Sequence, residues 1–244
     1  MKVSIVIPTY NERENIRLLI PKIMEVFERE GLCGEVIVVD DNSEDGTAAE
    51  VERLSQIYPN IILVKRARKL GLGSAYRCGF EFASGDVVFE MDADLSHDPA
   101  MIPKFLEEIK SGADVVIGSR LVDGGRIEDW DALRIVLSRG ANTLARFLLR
   151  LDIKDLTSGY RAYKKEVLDE IRTNGMNISG GYAFQVEMAY FAKRLGFSVA
   201  EVPICFRDRK FGETKLGIKD ILEFMKVLFK LRLQNVVKKV PTRG

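Results

Sequence analysis

The chain has 244 residues, 46% of them hydrophobic and 30% charged, with a formal net charge of +1. That length suits one large α/β domain with a substantial core, and the near-zero charge excludes a polyanion binder, so no nucleic acid is expected as a partner. Its three cysteines, Cys33, Cys78 and Cys205, lie far apart without C-x-x-C spacing, which excludes a disulfide framework and a zinc site and points to a reducing, cytosolic compartment.

The chain opens on Val3-Ser4-Ile5-Val6-Ile7, a short apolar strand that Pro8 is expected to close, so no leader is expected. Asn11 with Glu14 has the spacing of a capping pair, and Ile16, Leu19, Ile20, Ile23 and Phe27 then recur at helical spacing, with Pro21 as an expected kink. Val36-Ile37-Val38-Val39 predicts a second strand ending in Asp40-Asp41, followed by a helix over Thr47–Ser55 and a strand over Ile61–Val64. Gly71-Leu72-Gly73 opens a third helix with small residues that would admit a phosphate or simply form a loop. Asp86–Met91 predicts the fourth strand, a helix begins near Met101, and Asp114–Gly118 predicts the fifth strand. Helices are then expected over Ser138–Leu149, Lys164–Ile171 and Ala183–Leu195, a strand over Val199–Ile204, and a last helix over Ile218–Leu233. No run of about 18 uncharged apolar residues occurs, so no membrane span is expected.

Apolar runs without alternation mean strands buried on both faces, hence an α/β fold with a mainly parallel sheet flanked by helices. Ligands of such sheets bind beyond the carboxyl ends of the strands. Polar clusters fall there four times: Thr9-Tyr10-Asn11-Glu12, Asp40-Asp41, Asp92-Ala93-Asp94 and Ser119-Arg120. Any one of these fits a solvated turn; their joint placement points to one shared site. Asp92 and Asp94, one residue apart at a strand end, form a hard-cation pair suited to Mg²⁺ or Mn²⁺, which usually completes its shell with substrate phosphates.

Val-Ile-Pro-Thr-Tyr-Asn-Glu (6–12), Val-Asp-Asp-Asn-Ser-Glu-Asp-Gly-Thr (39–47) and Met-Asp-Ala-Asp-Leu-Ser-His (91–97) resemble the family 2 glycosyltransferases of GT-A fold. Gly-Ser-Arg (118–120), Ser-Arg-Gly-Ala-Asn (138–142), Asp-Leu-Thr-Ser-Gly-Tyr-Arg (155–161), Glu-Val-Pro-Ile-Cys-Phe-Arg-Asp-Arg (201–209) and Gly-Glu-Thr-Lys-Leu-Gly (212–217) are similar to the dolichol-phosphate mannose synthase branch of that family. The resemblance covers nearly the whole chain. It implies a GT-A catalytic domain over 1–217 and a C-terminal amphipathic helix and tail over 218–244. It implies inverting transfer of mannose from GDP-mannose to dolichyl or another polyprenyl phosphate, on the cytoplasmic face of a membrane. It leaves open a separate membrane-anchoring subunit.

By the same resemblance, Asp92, Asp94 and Ser96 would face the metal. Pro8, Tyr10, Glu12, Asp40, Asp41, Asp92 and Lys215 would bind the donor nucleotide. Arg120, Arg134 and Ser138 would seat the acceptor phosphate, and Asp94, Arg120 and Arg209 would carry the catalysis. Asp155, Ser158 and Gly159 would lie near the sugar, with Asp155 binding either a hydroxyl or a phosphate-binding Arg. Arg207, Arg209 and Lys215 would frame a lid. His97, the only histidine, reads as a loop residue more readily than as a catalyst. In the last helix Ile218, Ile221, Leu222, Met225, Leu228 and Phe229 form one stripe, widened by Phe224, Val227 and Leu231, between basic flanks, which fits either an interfacial helix or a core helix. Three rivals remain at this point: transfer of glucose or N-acetylglucosamine from a UDP donor, a nucleotidyltransferase, and a non-catalytic membrane adaptor.

Overall fold

The computed structural model describes residues 1–174, 178–181, 183–208 and 218–237. Its first half alternates β1 (Lys2–Thr9), α1 (Arg13–Arg29), β2 (Cys33–Asp40), α2 (Thr47–Ser55), β3 (Ile61–Lys65), α3 (Leu72–Phe82), β4 (Val87–Glu90), α4 (Ile102–Lys110) and β5 (Val115–Ser119). The second half comprises β6 (Arg126–Glu128), α5 (Ala132–Leu149), β7 (Arg161–Lys164), α6 (Lys165–Thr173), α7 (Phe184–Arg194), β8 (Val199–Pro203), β9 (Cys205–Arg207) and α8 (Ile218–Val237).

Seven strands form one sheet in the order β3-β2-β1-β4-β7-β5-β8, while β6 and β9 pair separately. All neighbours in the large sheet are parallel except β7, which runs antiparallel between β4 and β5. Each strand feeds two cores through the two-residue period of its side chains. On β2, Val36 and Val38 face a layer with Ile16, Leu19 and Ile23 of α1 and Phe105 of α4. Ile37 and Val39 face the other layer, with Tyr76 of α3, Phe184 of α7 and Leu228 of α8.

Pro8 does not close β1, which continues to Thr9 in register with Asp40 of β2. It closes the pairing with β4 instead. Met91 N–H donates to the Val6 carbonyl, and the next bond on that side would need an N–H at residue 8, which proline lacks. The strands therefore splay beyond Val6, and the crevice opens where they part. The expected capping by Asn11 is not seen: Glu12 occupies the cap position without a side-chain cap, and α1 continues through Pro21. Asn11 is left-handed (φ 59°) and binds across to the neighbouring loop, accepting from Glu44 N–H at 3.0 Å.

Three further elements differ from expectation. α5 starts at Ala132 rather than Ser138, because Asp131 accepts from Arg134 N–H at 2.8 Å and caps it. β7 has no counterpart in the apolar-run reading, since Arg-Ala-Tyr-Lys contains no run. In α8, Phe224, Val227, Leu228 and Leu231 are buried, whereas Ile221, Leu222, Phe229 and Leu233 are exposed. The single expected stripe is thus two, and Leu228 belongs to the core.

Candidate functional site

The loops that leave β1, β2 and β4 at the carboxyl edge each contain a left-handed non-glycine residue: Asn11, Asn42 and Leu95, with φ of 59°, 60° and 64°. Asparagine tolerates that region, but for leucine it costs roughly 1–2 kcal/mol. Such strain persists only where the surroundings over-determine it, and it clusters at functional sites. At Leu95 it turns the chain so that Asp94 Oδ1 accepts from Ser96 N–H at 3.1 Å and from the Ser96 hydroxyl.

Asp92 is held from three directions. The Tyr76 hydroxyl of α3 donates to Asp92 Oδ1 at 2.9 Å. His97 is buried, stacks on Tyr160 with centroids 4.9 Å apart, and its Nδ1 accepts from Asp92 N–H at 3.0 Å. Burial pushes the His97 pKa down, against the opposing pull of Asp92 and Asp94. The neutral ring therefore carries its proton on Nε2, which lies 3.8 Å from Asp92 Oδ2. On the third side a Cβ at Gly159 would come within 3.2 Å of Asp92 Oδ2, so a side chain there would press on the carboxylate. Tyr76 thus orients the Asp92 carboxylate, and His97 anchors the backbone that carries it. Tyr76 had no sequence signal, because its contact spans 16 residues and two elements.

The predicted donor residues divide by what already holds them. Asp40 is buried and spent on its own loop: it accepts from Thr9 Oγ1 at 2.9 Å, from Ser43 Oγ at 2.6 Å and from Ser43 N–H at 3.0 Å. Asp41 is also buried, paired with Arg66 and accepting from Leu70 N–H at 3.2 Å. Arg66 in turn donates to Ser74 Oγ at 2.9 Å, linking β2 to α3. Tyr10 has the Lys69 ammonium 4.0 Å from its ring centroid. Glu12 accepts from Asn15 Nδ2 at 2.6 Å, and its N–H donates to Thr47 Oγ1 at 3.0 Å. Gly73 N–H donates to the Gly180 carbonyl at 2.9 Å, and a Cβ there would lie 2.7 Å from Phe184. The glycines of this loop serve close backbone packing, and the Gly73 donor is not available to a phosphate.

Beyond β5 the predicted acceptor residues form a cationic, aromatic wall. Arg120 grips Asp155 through Nε and Nη2, both at 2.7 Å, and Nη2 also donates to Thr157 Oγ1 at 2.8 Å. Of the two expectations for Asp155, the structure shows the contact with an arginine. Burial would raise the Asp155 pKa, but the Arg120 charge and its hydrogen bonds outweigh that and hold it below the usual range. Arg134 sits 3.9 Å from the Trp130 ring centroid and donates to Asp208 Oδ2 at 2.9 Å. Arg120 lies 5.5 Å from the same ring, which is a cation–π distance. Phe206 contacts both Trp130 and His97, with centroids 5.4 and 5.9 Å apart. It joins the arginine wall to the carboxylate pair. Ser138 is partly exposed on α5. Arg207 donates to Glu128 Oε2 at 2.9 Å between β9 and β6. Arg209 and Lys215 lie outside the described residues.

No group of three or more His, Cys, Asp or Glu side chains forms a metal cluster among the described residues. Two oriented carboxylates are too few for a closed protein cage. They fit a hard divalent ion that keeps water and takes phosphate oxygens as its remaining ligands.

A doubly covered, mainly parallel sheet whose carboxyl edge gathers an oriented Asp-x-Asp pair beside an arginine–tryptophan wall is that of a glycosyltransferase of GT-A fold. The chain belongs to glycosyl transferase family 2, whose model matches residues 4–172. It is 43% identical over 227 residues to the polyprenol monophosphomannose synthase of Mycolicibacterium smegmatis, covering 91% of this chain and 83% of that protein. It is 42% identical over 233 residues to the dolichol-phosphate mannosyltransferase of Pyrococcus furiosus, covering 95% of this chain and 64% of that protein. The fold is also that of glucosyl-3-phosphoglycerate synthase from Mycobacterium tuberculosis. Its complex with Mn²⁺, UDP-glucose and phosphoglyceric acid superposes with a TM-score of 0.70 at 19% identity, over 100% of this chain and 82% of that one.

Proposed function

We propose that this glycosyltransferase moves mannose from GDP-mannose to a polyprenyl phosphate such as dolichyl phosphate, inverting the anomeric carbon, with Mg²⁺ or Mn²⁺. The observation that carries the reading is the adjacency, through His97 and Phe206, of an anionic pair (Asp92, Asp94) and a cationic wall (Arg120, Arg134). Donor diphosphate and acceptor phosphate are both negatively charged, and a transferase must seat them side by side. The relatives' mannosyl and polyprenol names supply the sugar and the lipid.

Asp92 and Asp94 would hold the cation, which when bound offsets charge on the departing diphosphate. Tyr76 and Ser96 fix the rotamers of those carboxylates before substrate arrives, and His97 anchors the Asp92 backbone. Tyr10 and the Asp41–Arg66 pair border the nucleoside end. The nucleophile is a phosphate oxygen whose second pKa is about 6, so it needs a seat and an orientation rather than a general base. Arg134, stacked on Trp130, supplies a planar fork suited to two phosphate oxygens. Attack from that side, opposite the leaving diphosphate, inverts the sugar.

A membrane-surface location follows from the acceptor and is supported by an exposed apolar patch. Leu133, Val136, Leu137 and Phe147 of α5 are exposed, as are Ile221, Leu222, Phe229 and Leu233 of α8, and the two helices pack together. Among the described residues no helix is long and apolar enough to cross a membrane. Exposed apolar area of this extent marks an interaction surface, and Lys226 and Lys230 lie exposed beside it.

The test is mass spectrometry of lipid products after incubation with polyprenyl phosphate, a divalent cation and either GDP-mannose or UDP-glucose. A hexosyl-phosphate lipid from GDP-mannose alone is expected. Product from UDP-glucose alone would change the sugar, and release of pyrophosphate from a nucleoside triphosphate would change the reaction class.

A further inference from the structure

A second cationic feature lies outside the crevice. A cleft of about 490 Å³ opens between one face of α5 and the loop 121–125, with Arg139, Arg146 and Lys154 in its lining. Arg120 lines it as well, but the Nε and Nη2 of Arg120 are committed to Asp155 and Thr157. Neither Arg134 nor Ser138 lines this cleft, so it adjoins the seat assigned to the acceptor and shares only Arg120 with it.

Three observations say what the cleft takes. Its lining carries three cations besides Arg120 against one carboxylate, Asp123. The acids nearby are otherwise engaged or remote: Glu201 accepts from Lys154 N–H at 2.7 Å and Asp155 N–H at 2.9 Å, and Asp152 reaches Arg146 only at 3.9 Å from a fully exposed position. Finally, the Arg146 side chain that lines the cleft is 39% exposed, so its guanidinium is open to an entering anion.

On α5, Arg139, Thr143 and Arg146 follow each other at spacings of four and three, one helical face. The exposed Leu133, Val136, Leu137 and Phe147 fall on the neighbouring face. A polar cleft beside a lipid-facing stripe sits at headgroup depth. Guanidinium forks match phosphate oxygens. We infer that this cleft binds the phosphate headgroup of an anionic phospholipid, beside the acceptor seat with which it shares Arg120, and so sets how the crevice faces the bilayer. The inference rests on the membrane-surface reading above.

The test is co-sedimentation of the full chain with vesicles of phosphatidylcholine alone or mixed with phosphatidylglycerol, with GDP affinity followed in parallel. R139Q/R146Q/K154Q is expected to bind phosphatidylglycerol vesicles more weakly by about fivefold per cation removed, with GDP affinity retained. K22Q/K104Q/K110Q removes the same charge from exposed positions on α1 and α4 and is expected to stay near the parent. R139Q alone, at an exposed position that folding does not depend on, is expected to show its single share of the loss. Equal losses in both triple variants, or none in either, overturn the headgroup site and leave the membrane reading standing. A parent chain that ignores both vesicle types overturns the membrane reading and the inference with it. Displacement from the vesicles by inorganic phosphate at concentrations matching the lipid assigns the cleft to a soluble anion and overturns the lipid as its source.

Discussion

Asp155→Ala separates the two things Arg120 does. The Asp155 carboxylate is fully buried and accepts from Arg120 N–H at 3.0 Å, Nε at 2.7 Å and Nη2 at 2.7 Å. Removing it strands a guanidinium that is itself only 7% exposed. Breaking a buried pair from one side typically costs about 3–5 kcal/mol. At about 2–4 °C per kcal/mol for a domain of this size, the midpoint should fall by roughly 6–20 °C. Replacing both partners by apolar residues, Arg120→Met with Asp155→Leu, removes the stranded charge and should recover much of that loss. Denaturant unfolding followed by circular dichroism measures both. A loss below about 1 kcal/mol in Asp155→Ala, or a double variant as unstable as the sum of the singles, refutes the pair as a structural unit. The functional arm uses Arg120→Ala, which strands the buried Asp155 in turn, so both affinities are measured on the fraction that circular dichroism shows folded. Loss of a charge-assisted hydrogen bond of about 1.5–3 kcal/mol should weaken use of polyprenyl phosphate about ten- to a hundredfold while GDP affinity is largely kept. Equal losses for both would move Arg120 to the donor side.

In α8, Leu228→Ala should destabilise the fold by about 2–5 kcal/mol, because Leu228 is fully buried, whereas Leu222→Ser with Phe229→Ser should leave the midpoint in place and weaken vesicle binding; thermal melts with sedimentation separate the two faces. Tyr76→Phe removes only the hydroxyl that orients Asp92 and should weaken Mn²⁺-dependent GDP binding with a stability change of at most about 1.5 kcal/mol, read by calorimetry and melting. At the opposite sheet edge, burial would raise the Glu35 pKa, but hydrogen bonds from Lys2, Ser4 and Ser84 together bring it down to about 2 from 4.5. A depressed carboxyl stabilises the fold above its unfolded pKa, so stability should fall as pH drops from 4.5 towards 2, and Glu35→Gln should be less stable at neutral pH with a flatter profile in that window.

Strands β1, β2, β4 and β5 were legible because each is an apolar run buried on both faces, and β3 because its apolar run persists at the sheet edge, where only Ile61 is buried; the polar ends of the strands marked the crevice. β7 was not legible, because its burial is of another kind. Arg161 is fully buried, and its guanidinium is satisfied by the carbonyls of Ser158, Gln185 and Leu156 at 2.7–2.8 Å. No local pattern announces a charge that the tertiary structure will neutralise. The same holds at the site. Asp92 and Asp94 could be read from a strand end. Tyr76 and Arg66, which aim or occupy predicted carboxylates, come from other elements and carry no motif, and His97, though it ends the 91–97 segment, gave no sign that it would bond the Asp92 backbone. The α8 stripe was half legible: the composition showed a wide apolar face, but only packing against Tyr190 and the α5 layer divides it into a buried and an exposed half.

The central claim is that the Asp92–Asp94 pair seats the donor diphosphate through a divalent cation. Calorimetric titration of GDP with and without Mn²⁺, on the parent chain and on Asp94→Asn, tests it most directly. The account predicts that Mn²⁺ tightens GDP binding to the parent, that Asp94→Asn loses that enhancement and mannosyl transfer together, and that its melting point is unchanged. Metal-enhanced GDP binding and near-normal transfer in Asp94→Asn would contradict it.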